Sequence, residues 1–304
     1  MTRTPEISDV AARPHPGGLA TLAGRSVARV GHGAMQLRWA ESDDEPVAVL
    51  RRAVELGVDH LDTAEFYGDG VVNRRIRAAL APYPDHLVVV TKVGATPNPG
   101  AEIELRLAQQ PAELRAQVED NLRSLDVERL DVVNLRRADV APGLIAGGDQ
   151  IVDLDDQLAT LTALRDEGKI GAIGLSHVSA EQLRHALPVG IVCVQNAFSL
   201  VDRSAEPVLD LCREHGIAWA PYFPLGGGWP GQRRVTDLPA VVGTAARLGV
   251  LPAQVGLAWL LAHAEQTMLI PGTRSVAHLE ENLAAGDVEL DAEAMATLEA
   301  SSVS

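Results

Sequence analysis

Residues 170–187 read IGAIGLSHVSAEQLRHAL and contain one complete structural unit. The run from Ile170 to Leu175 is short and uninterrupted by charge, the pattern of a strand covered on both faces. Ser176 and His177 close it with polar groups. Ser179-x-x-Gln182 then has the form of a capping box, in which hydroxyl and amide side chains satisfy backbone groups that a helix start leaves open. An amphipathic pattern continues over 180–187.

The same unit recurs on both sides. Apolar runs at 30–33, 60–62, 87–92, 131–135, 170–175, 191–195, 217–222 and 267–270 are each followed by an amphipathic pattern, at 46–56, 72–80, 112–124, 156–167, 180–187, 205–215, 238–248 and 276–284. Ser42-x-x-Glu45 resembles a second capping box, and Gly57, Gly168, Gly216 and Gly249 stand where helix-ending glycines are expected. Eight alternating units with doubly buried strands predict an α/β fold, a (β/α)8 TIM barrel. Two short alternating stretches around Gly24 predict an N-terminal β-hairpin. The helical patterns at 252–264 and 292–300 are extra C-terminal helices. Residues 1–18, rich in Pro, Gly, Thr and Arg without periodicity, are expected to form a disordered or loosely ordered tail, and 19–304 a single barrel domain.

Composition narrows the function classes. A formal net charge of −15 argues against nucleic-acid and anionic-membrane partners. The longest apolar stretch, near 255–262, is too short for a membrane span, and no apolar leader pattern opens the chain, so a cytoplasmic protein is expected. Cys193 and Cys212 lie in an apolar run and a helical pattern, the setting of inert buried thiols. The nine histidines show no ligand spacing, so no metal is expected. Glu102, Glu104, Glu113 and Glu119 read as solvated residues on or beside a charged helix. Gly226-x-Gly228-x-x-Gly231 matches a dinucleotide fingerprint in form only, because Pro230 interrupts it and no amphipathic helix follows directly.

In a barrel of this kind, chemistry sits where strands end. The polar residues there are Asp62, Lys92, Arg136, Ser176 with His177, Gln195 and Tyr222. Tyr67 follows Asp62 within Leu61-Asp62-Thr63-Ala64-Glu65-Phe66-Tyr67-Gly68. A phenol with an ordinary pKa of about 10 donates a proton near neutrality only if a cation stabilises the phenolate. Lys92 could supply that cation, and Asp62, one strand away, could orient the ammonium and keep it charged.

These stretches, with Thr91-Lys92, Gly174-Leu175-Ser176, Val194-Gln195-Asn196 and Ile270-Pro271-Gly272 through Glu281-Asn282, resemble the aldo-keto reductases over nearly the whole chain. The resemblance implies reduction of an aldehyde or ketone by NADPH, with Tyr67 as general acid, Lys92 tuning it and Asp62 holding Lys92. It implies that Ser176, His177 and Gln195 approach the nicotinamide amide and that Tyr222 stacks on the ring. Leu225 and Gly227 would lie along the pyrophosphate, Gly33 and Met35 near the cofactor. Thr273, Arg274, His278 and Asn282 would hold the adenosine end, Arg274 and His278 favouring a 2′-phosphate. Trp39, Phe66, Arg136 and Trp229 are candidate substrate residues.

Two positions depart from the family pattern. Arg136 stands where His is usual, and a guanidinium donates hydrogen bonds but does not act as a base. It is expected to place the substrate oxygen or a neighbouring anionic group. His177 stands where Asn is more frequent. The Asn134-Leu135-Arg136 variant, with Gly33-Ala34-Met35-Gln36-Leu37 and Phe223-Pro224-Leu225-Gly226-Gly227, resembles the bacterial pyridoxal-reducing branch, which implies pyridoxal or a similar aromatic aldehyde as the small-molecule substrate. A monomer or weak homo-oligomer is expected. Two alternatives stay open: a barrel that holds NADPH as a sensor with little turnover, and an aldolase using Lys92 as a Schiff base.

Overall fold

The computed structural model describes residues 13–101, 104–141, 143–228 and 231–301. Seven parallel strands hydrogen-bond in chain order: β1 (His32–Gly33), β2 (His60–Asp62), β3 (Val88–Val93), β4 (Leu130–Arg136), β5 (Ile170–Ser176), β6 (Ile191–Gln195) and β7 (Ala218–Trp219). The expected eighth strand is reduced to bridges that still close the ring. Thr267 pairs with Trp219 and Leu269 with Val30, both parallel. The amide of Met268 donates to Trp219 and that of Leu269 to Arg29, each at 2.7 Å.

The strands are followed by α1 (Asp44–Glu55), α2 (Val71–Leu80), α3 (Pro111–Leu125), α4 (Leu154–Asp166), α5 (Ala180–Ala186), α6 (Glu206–His215) and α7 (Pro239–Leu248). α8 (Pro252–His263) precedes the closing segment, α9 (Val276–Leu283) follows it, and α10 (Ala292–Ser301) ends the described chain. The Ser179 and Gln182 capping box opens α5 as expected. That at Ser42 does not form. Asp43 is the residue preceding α1, and its carboxylate is taken by Arg75 at 2.7 Å, because an arginine anchored from the next helix competes for it.

Two layers of core follow from this winding. Helix faces and the outward strand residues, among them Leu61, Val133, Leu135, Ile173, Leu175 and Trp259, form the larger cluster. Val88, Val90, Val132, Cys193, Ala218, Ala220 and Met268 form a smaller one with Leu22 and Val27. Those last two belong to the expected hairpin, Leu19–Leu22 with Arg25–Ala28, which plugs the end of the barrel where the strands begin. Both cysteines are buried thiols.

The sequence reading missed an antiparallel ribbon, Ala95–Pro97 with Leu105–Leu107, that interrupts the passage from β3 to α3. Its strands are three residues each, too short for a periodicity to register. Glu104 is exposed just before the second strand of this ribbon, its carbonyl accepting from the Asn98 amide at 3.1 Å, and Glu119 is paired with Lys169 rather than free in solvent. Residues 1–12 of the expected tail lie outside the described residues. The carbonyl of Pro16 accepts from the amide of Val30 at 3.0 Å, so 13–18 lie against the barrel. Among the described residues no single helix is long and apolar enough to cross a membrane.

Candidate active site

Strand register sets the first two groups. Asp62 is paired with Val90, and Lys92 lies two residues farther along the same strand, so Val90 and Lys92 project to the same side of the sheet. Both charged side chains are buried, and the Lys92 ammonium donates to Oδ1 of Asp62 and, at 3.1 Å, to the carbonyl of Thr63. Burial alone would lower the proton affinity of Lys92. Asp62 and Tyr67 outweigh it, and the net direction is upward.

Tyr67 reaches the same point by a tight turn. Its amide donates to Ala64 at 3.0 Å, and that of Gly70 to Glu65 at 2.7 Å. Gly70 has φ +74°, a left-handed backbone that favours glycine. The Tyr67 ring centroid lies 5.2 Å from Lys92 Nζ. Burial pushes the phenol above its ordinary range, while Lys92 and Arg136 pull it down. The phenol therefore keeps its proton at neutrality beside charges arranged to stabilise the phenolate.

A polar layer behind these residues escaped the sequence reading. Thr63 Oγ1 donates to Asn73 Oδ1 at 2.7 Å, and Thr91 Oγ1 to Asn121 Oδ1 at 2.5 Å. Asn73 Nδ2 reaches Glu65, Asn121 and Ser124 at 2.7, 3.1 and 3.0 Å. Thr63 follows Asp62 and Thr91 precedes Lys92, so α2 and α3 grip both strand ends through this network. Asparagines set into the apolar faces of two helices were the available signal.

Register continues around the mouth: Arg136 pairs with Ser176, and Ser176 with Gln195. Gln195 Nε2 donates to Asp62 Oδ2 at 2.6 Å, and its buried Oε1 has no partner among the described residues. His177, with φ +60°, has both ring nitrogens engaged. Nε2 lies 2.5 Å from the carbonyl of Val140, which can only accept, so this nitrogen carries the proton. Nδ1 then accepts the Tyr222 hydroxyl at 2.7 Å. Burial first, then Arg136, keep His177 below its ordinary range, in keeping with a neutral ring. Burial raises the Tyr222 phenol to about 12.

A barrel whose buried phenol, ammonium and carboxylate meet at the strand ends is matched by the sequence model of the Aldo/keto reductase family over residues 29–302. The chain belongs to the aldo/keto reductase family. Over 286 residues it is 43% identical to pyridoxine 4-dehydrogenase of Escherichia coli (strain K12), covering 92% of this chain and 96% of that protein. It is 29% identical over 299 residues to probable aldo-keto reductase 1 of Glycine max, covering 88% and 83%. Among solved structures, an aldo/keto reductase from Klebsiella pneumoniae in complex with NADP and acetate aligns with a TM-score of 0.77 at 25% identity, over 93% of this chain and 94% of that one.

Two groups of residues in this aldo/keto reductase could hold a dinucleotide. Gln195 Oε1 offers a buried acceptor at the barrel mouth. At the start of α9, Thr273 is buried, Arg274 and His278 are exposed, and Asn282 lies one turn beyond His278 on the same face. Arg274 Nη1 donates to the carbonyl of Trp39 at 2.8 Å, which orients the guanidinium at the rim. Gly33 meets the protein itself: a Cβ there would lie 2.4 Å from the Ile270 carbonyl, so its close approach serves barrel closure. Met35 is partly buried against the core.

In the loop after β7, Gly227 has φ +69° and its amide donates to Arg233 at 3.2 Å, while the Leu225 carbonyl accepts from Val235 at 2.9 Å. That loop is thus held partly by its own backbone. Of the substrate candidates in the reductase, Phe66 is buried edge-on to Tyr67 at 5.2 Å. Trp39 is 51% exposed at the rim, under Arg38, and Trp229 lies outside the described residues.

Proposed function

We propose that this aldo/keto reductase reduces the carbonyl of an aldehyde to an alcohol with NADPH, and that its substrate is pyridoxal or a closely similar aromatic aldehyde. The observation that carries the reaction type is the convergence of Tyr67, Lys92 and Asp62. Bound NADPH supplies the hydride to the carbonyl carbon. Tyr67 gives its proton to the carbonyl oxygen as negative charge develops there, and the phenolate left behind faces the Lys92 ammonium. Asp62, held on its other oxygen by Gln195, keeps Lys92 charged and in place.

Support for the remaining assignments is of three kinds. The free acceptor of Gln195 suits the amide of a nicotinamide, with Ser176 beside it in register. Tyr222, fixed by His177, suits a stacking platform. Arg274 and His278 suit a 2′-phosphate, since a bare ribose gives them no charge to pair with. The pyridoxal reading rests on the likeness to pyridoxine 4-dehydrogenase together with Arg136. A Schiff-base role for Lys92 needs an unprotonated amine, and Asp62 acts against that.

The test is NADPH consumption by the purified chain with pyridoxal, then with benzaldehydes, sugars and ketones. Pyridoxal turned over at least about tenfold more efficiently than benzaldehyde is the expected result. Consumption with other aldehydes and none with pyridoxal removes the substrate reading. Tight NADPH binding with no turnover of any carbonyl favours the sensor alternative.

A further inference from the structure

Arg136 ends β4 with an unusual electrostatic setting. Burial lowers its proton affinity, and the groups that pull the other way are two phenols, Tyr222 and Tyr67. Its Nη1 is buried and has no hydrogen-bond partner among the described residues. The nearby carboxylates are committed elsewhere. Asp62 is shared by Lys92 and Gln195, and Asp139 by Arg137 and Gln182 at 2.5 and 2.6 Å. The hydroxyl of Tyr222 is already given to His177.

A guanidinium stays protonated at every physiological pH. Arg136 therefore places a permanent positive charge, partly stripped of water, within electrostatic reach of Tyr67 and Tyr222, with no carboxylate paired to it among the described residues. Such a charge is costly to bury unless something pairs with it. The cofactor's phosphates would lie elsewhere, along the loop at 225–227 and at α9, so the missing partner belongs to the substrate. The two phenols that feel this charge each belong to an aromatic pair: Tyr67 with Phe66 set against it, and Tyr222 with Phe223 at 5.1 Å from it. A flat ring carrying an anionic oxygen fits that chemistry.

We infer that Arg136 selects aromatic aldehydes bearing an ionised hydroxyl on the ring carbon next to the carbonyl-bearing carbon, and that it pairs with that phenolate oxygen while Tyr67 takes the carbonyl oxygen. The inference rests on the reductase reading and deepens it from one compound to a substrate class. The adjacent position is the one that lets a single ring present its two oxygens side by side, as two groups close enough to influence each other, Arg136 and Tyr67, require. The pairing also has a chemical consequence. A free phenolate feeds electron density into the neighbouring carbonyl and makes it a poorer hydride acceptor, and the guanidinium withdraws that density. Hydride and proton add across the C=O bond, and the phenolate leaves with the charge it brought.

The experiment compares kcat/KM for 2-hydroxybenzaldehyde, 3-hydroxybenzaldehyde and 2-methoxybenzaldehyde with NADPH, in the full chain and in Arg136→Met and Arg136→Lys. The full chain is expected to prefer the 2-hydroxy over the 2-methoxy compound by about tenfold or more, the scale of one charge-assisted hydrogen bond. Arg136→Met is expected to bring that ratio close to unity, and Arg136→Lys to restore part of it. A ratio that is the same in Arg136→Met as in the full chain overturns the inference, whatever the overall loss, and assigns the guanidinium to the reacting oxygen itself.

If the variants do not fold, the full chain alone decides the matter. The acid limb of its profile should follow the phenol pKa through a series of ring-substituted 2-hydroxybenzaldehydes, and a limb that stays fixed overturns the inference. Turnover of 2-methoxybenzaldehyde with no 2-hydroxy preference overturns the selection by Arg136 and leaves the reductase reading standing. Absence of turnover with every aldehyde overturns both.

Discussion

Gln195 and Asp62, one ending the sixth strand of the barrel and the other the second, are joined across the mouth by a 2.6 Å hydrogen bond from the carboxamide nitrogen to Oδ2. The bond occupies the carboxylate oxygen that Lys92 leaves free, and it leaves Gln195 Oε1 buried without a hydrogen-bond partner among the described residues. Gln195→Leu keeps the bulk and removes both functions. It is expected to cost about 1–3 kcal/mol in urea denaturation, the scale for depriving a buried polar group of its partner. NADPH affinity, read by fluorescence titration, should weaken about tenfold in the same variant. Unchanged affinity would detach Gln195 from the cofactor.

Lys92→Met leaves Asp62 buried with only Gln195 to hold its charge. The expected loss of stability is about 3–5 kcal/mol, as for breaking a buried pair by removing one member. Adding Asp62→Asn should recover part of it, because the uncompensated charge disappears. A double variant no more stable than Lys92→Met would show that the pair is not coupled in this way.

Alkaline pH tests the direction of two shifts at once. Burial raises the Tyr67 phenol, and Asp62 with Tyr67 raises Lys92. Both groups hold their protons more tightly in the fold than when unfolded, so their contribution to stability is intact below about pH 10 and is lost as pH rises through the folded values. Reduction of an aldehyde with no ionisable ring group, which needs the protonated phenol of Tyr67, should hold steady through neutrality and decline only above about pH 10. Oxidation of the alcohol should gain over the same limb. A reduction profile that falls with a midpoint near neutrality contradicts these directions.

Arg274 stands exposed at the start of α9, steered by the Trp39 carbonyl. Arg274→Ala is expected to lower the ratio of kcat/KM for NADPH over NADH by about tenfold or more, the value of one charge-assisted contact to a phosphate. A ratio that does not move places 2′-phosphate recognition elsewhere.

Much of this was legible in the sequence because barrel units announce themselves twice, as an apolar run and as a capped amphipathic helix. The helix bounds around Ser179, Gly216 and Gly249 follow directly from capping chemistry. Asp62 and Lys92 were readable because they close neighbouring buried strands on one face, and Tyr67, in the turn after Asp62, because the family resemblance singles it out. The eighth strand faded because bridges at Thr267 and Leu269 suffice to close the ring. The two asparagines on apolar helix faces were a visible signal, but their pairing was not, since Asn73 and Asn121 lie 48 residues apart and only the barrel winding brings them within 3.1 Å. The tie between His177, Tyr222 and Val140 is hidden for the same reason.

The most direct measurement is single-turnover oxidation of bound NADPH by Tyr67→Phe with an aldehyde that the unaltered chain reduces, with cofactor affinity measured alongside. Loss of the phenolic proton should slow the step by about 10²–10⁴-fold while NADPH still binds. A Tyr67→Phe protein that binds NADPH and reduces the aldehyde at the unaltered rate would show that the proton comes from another group.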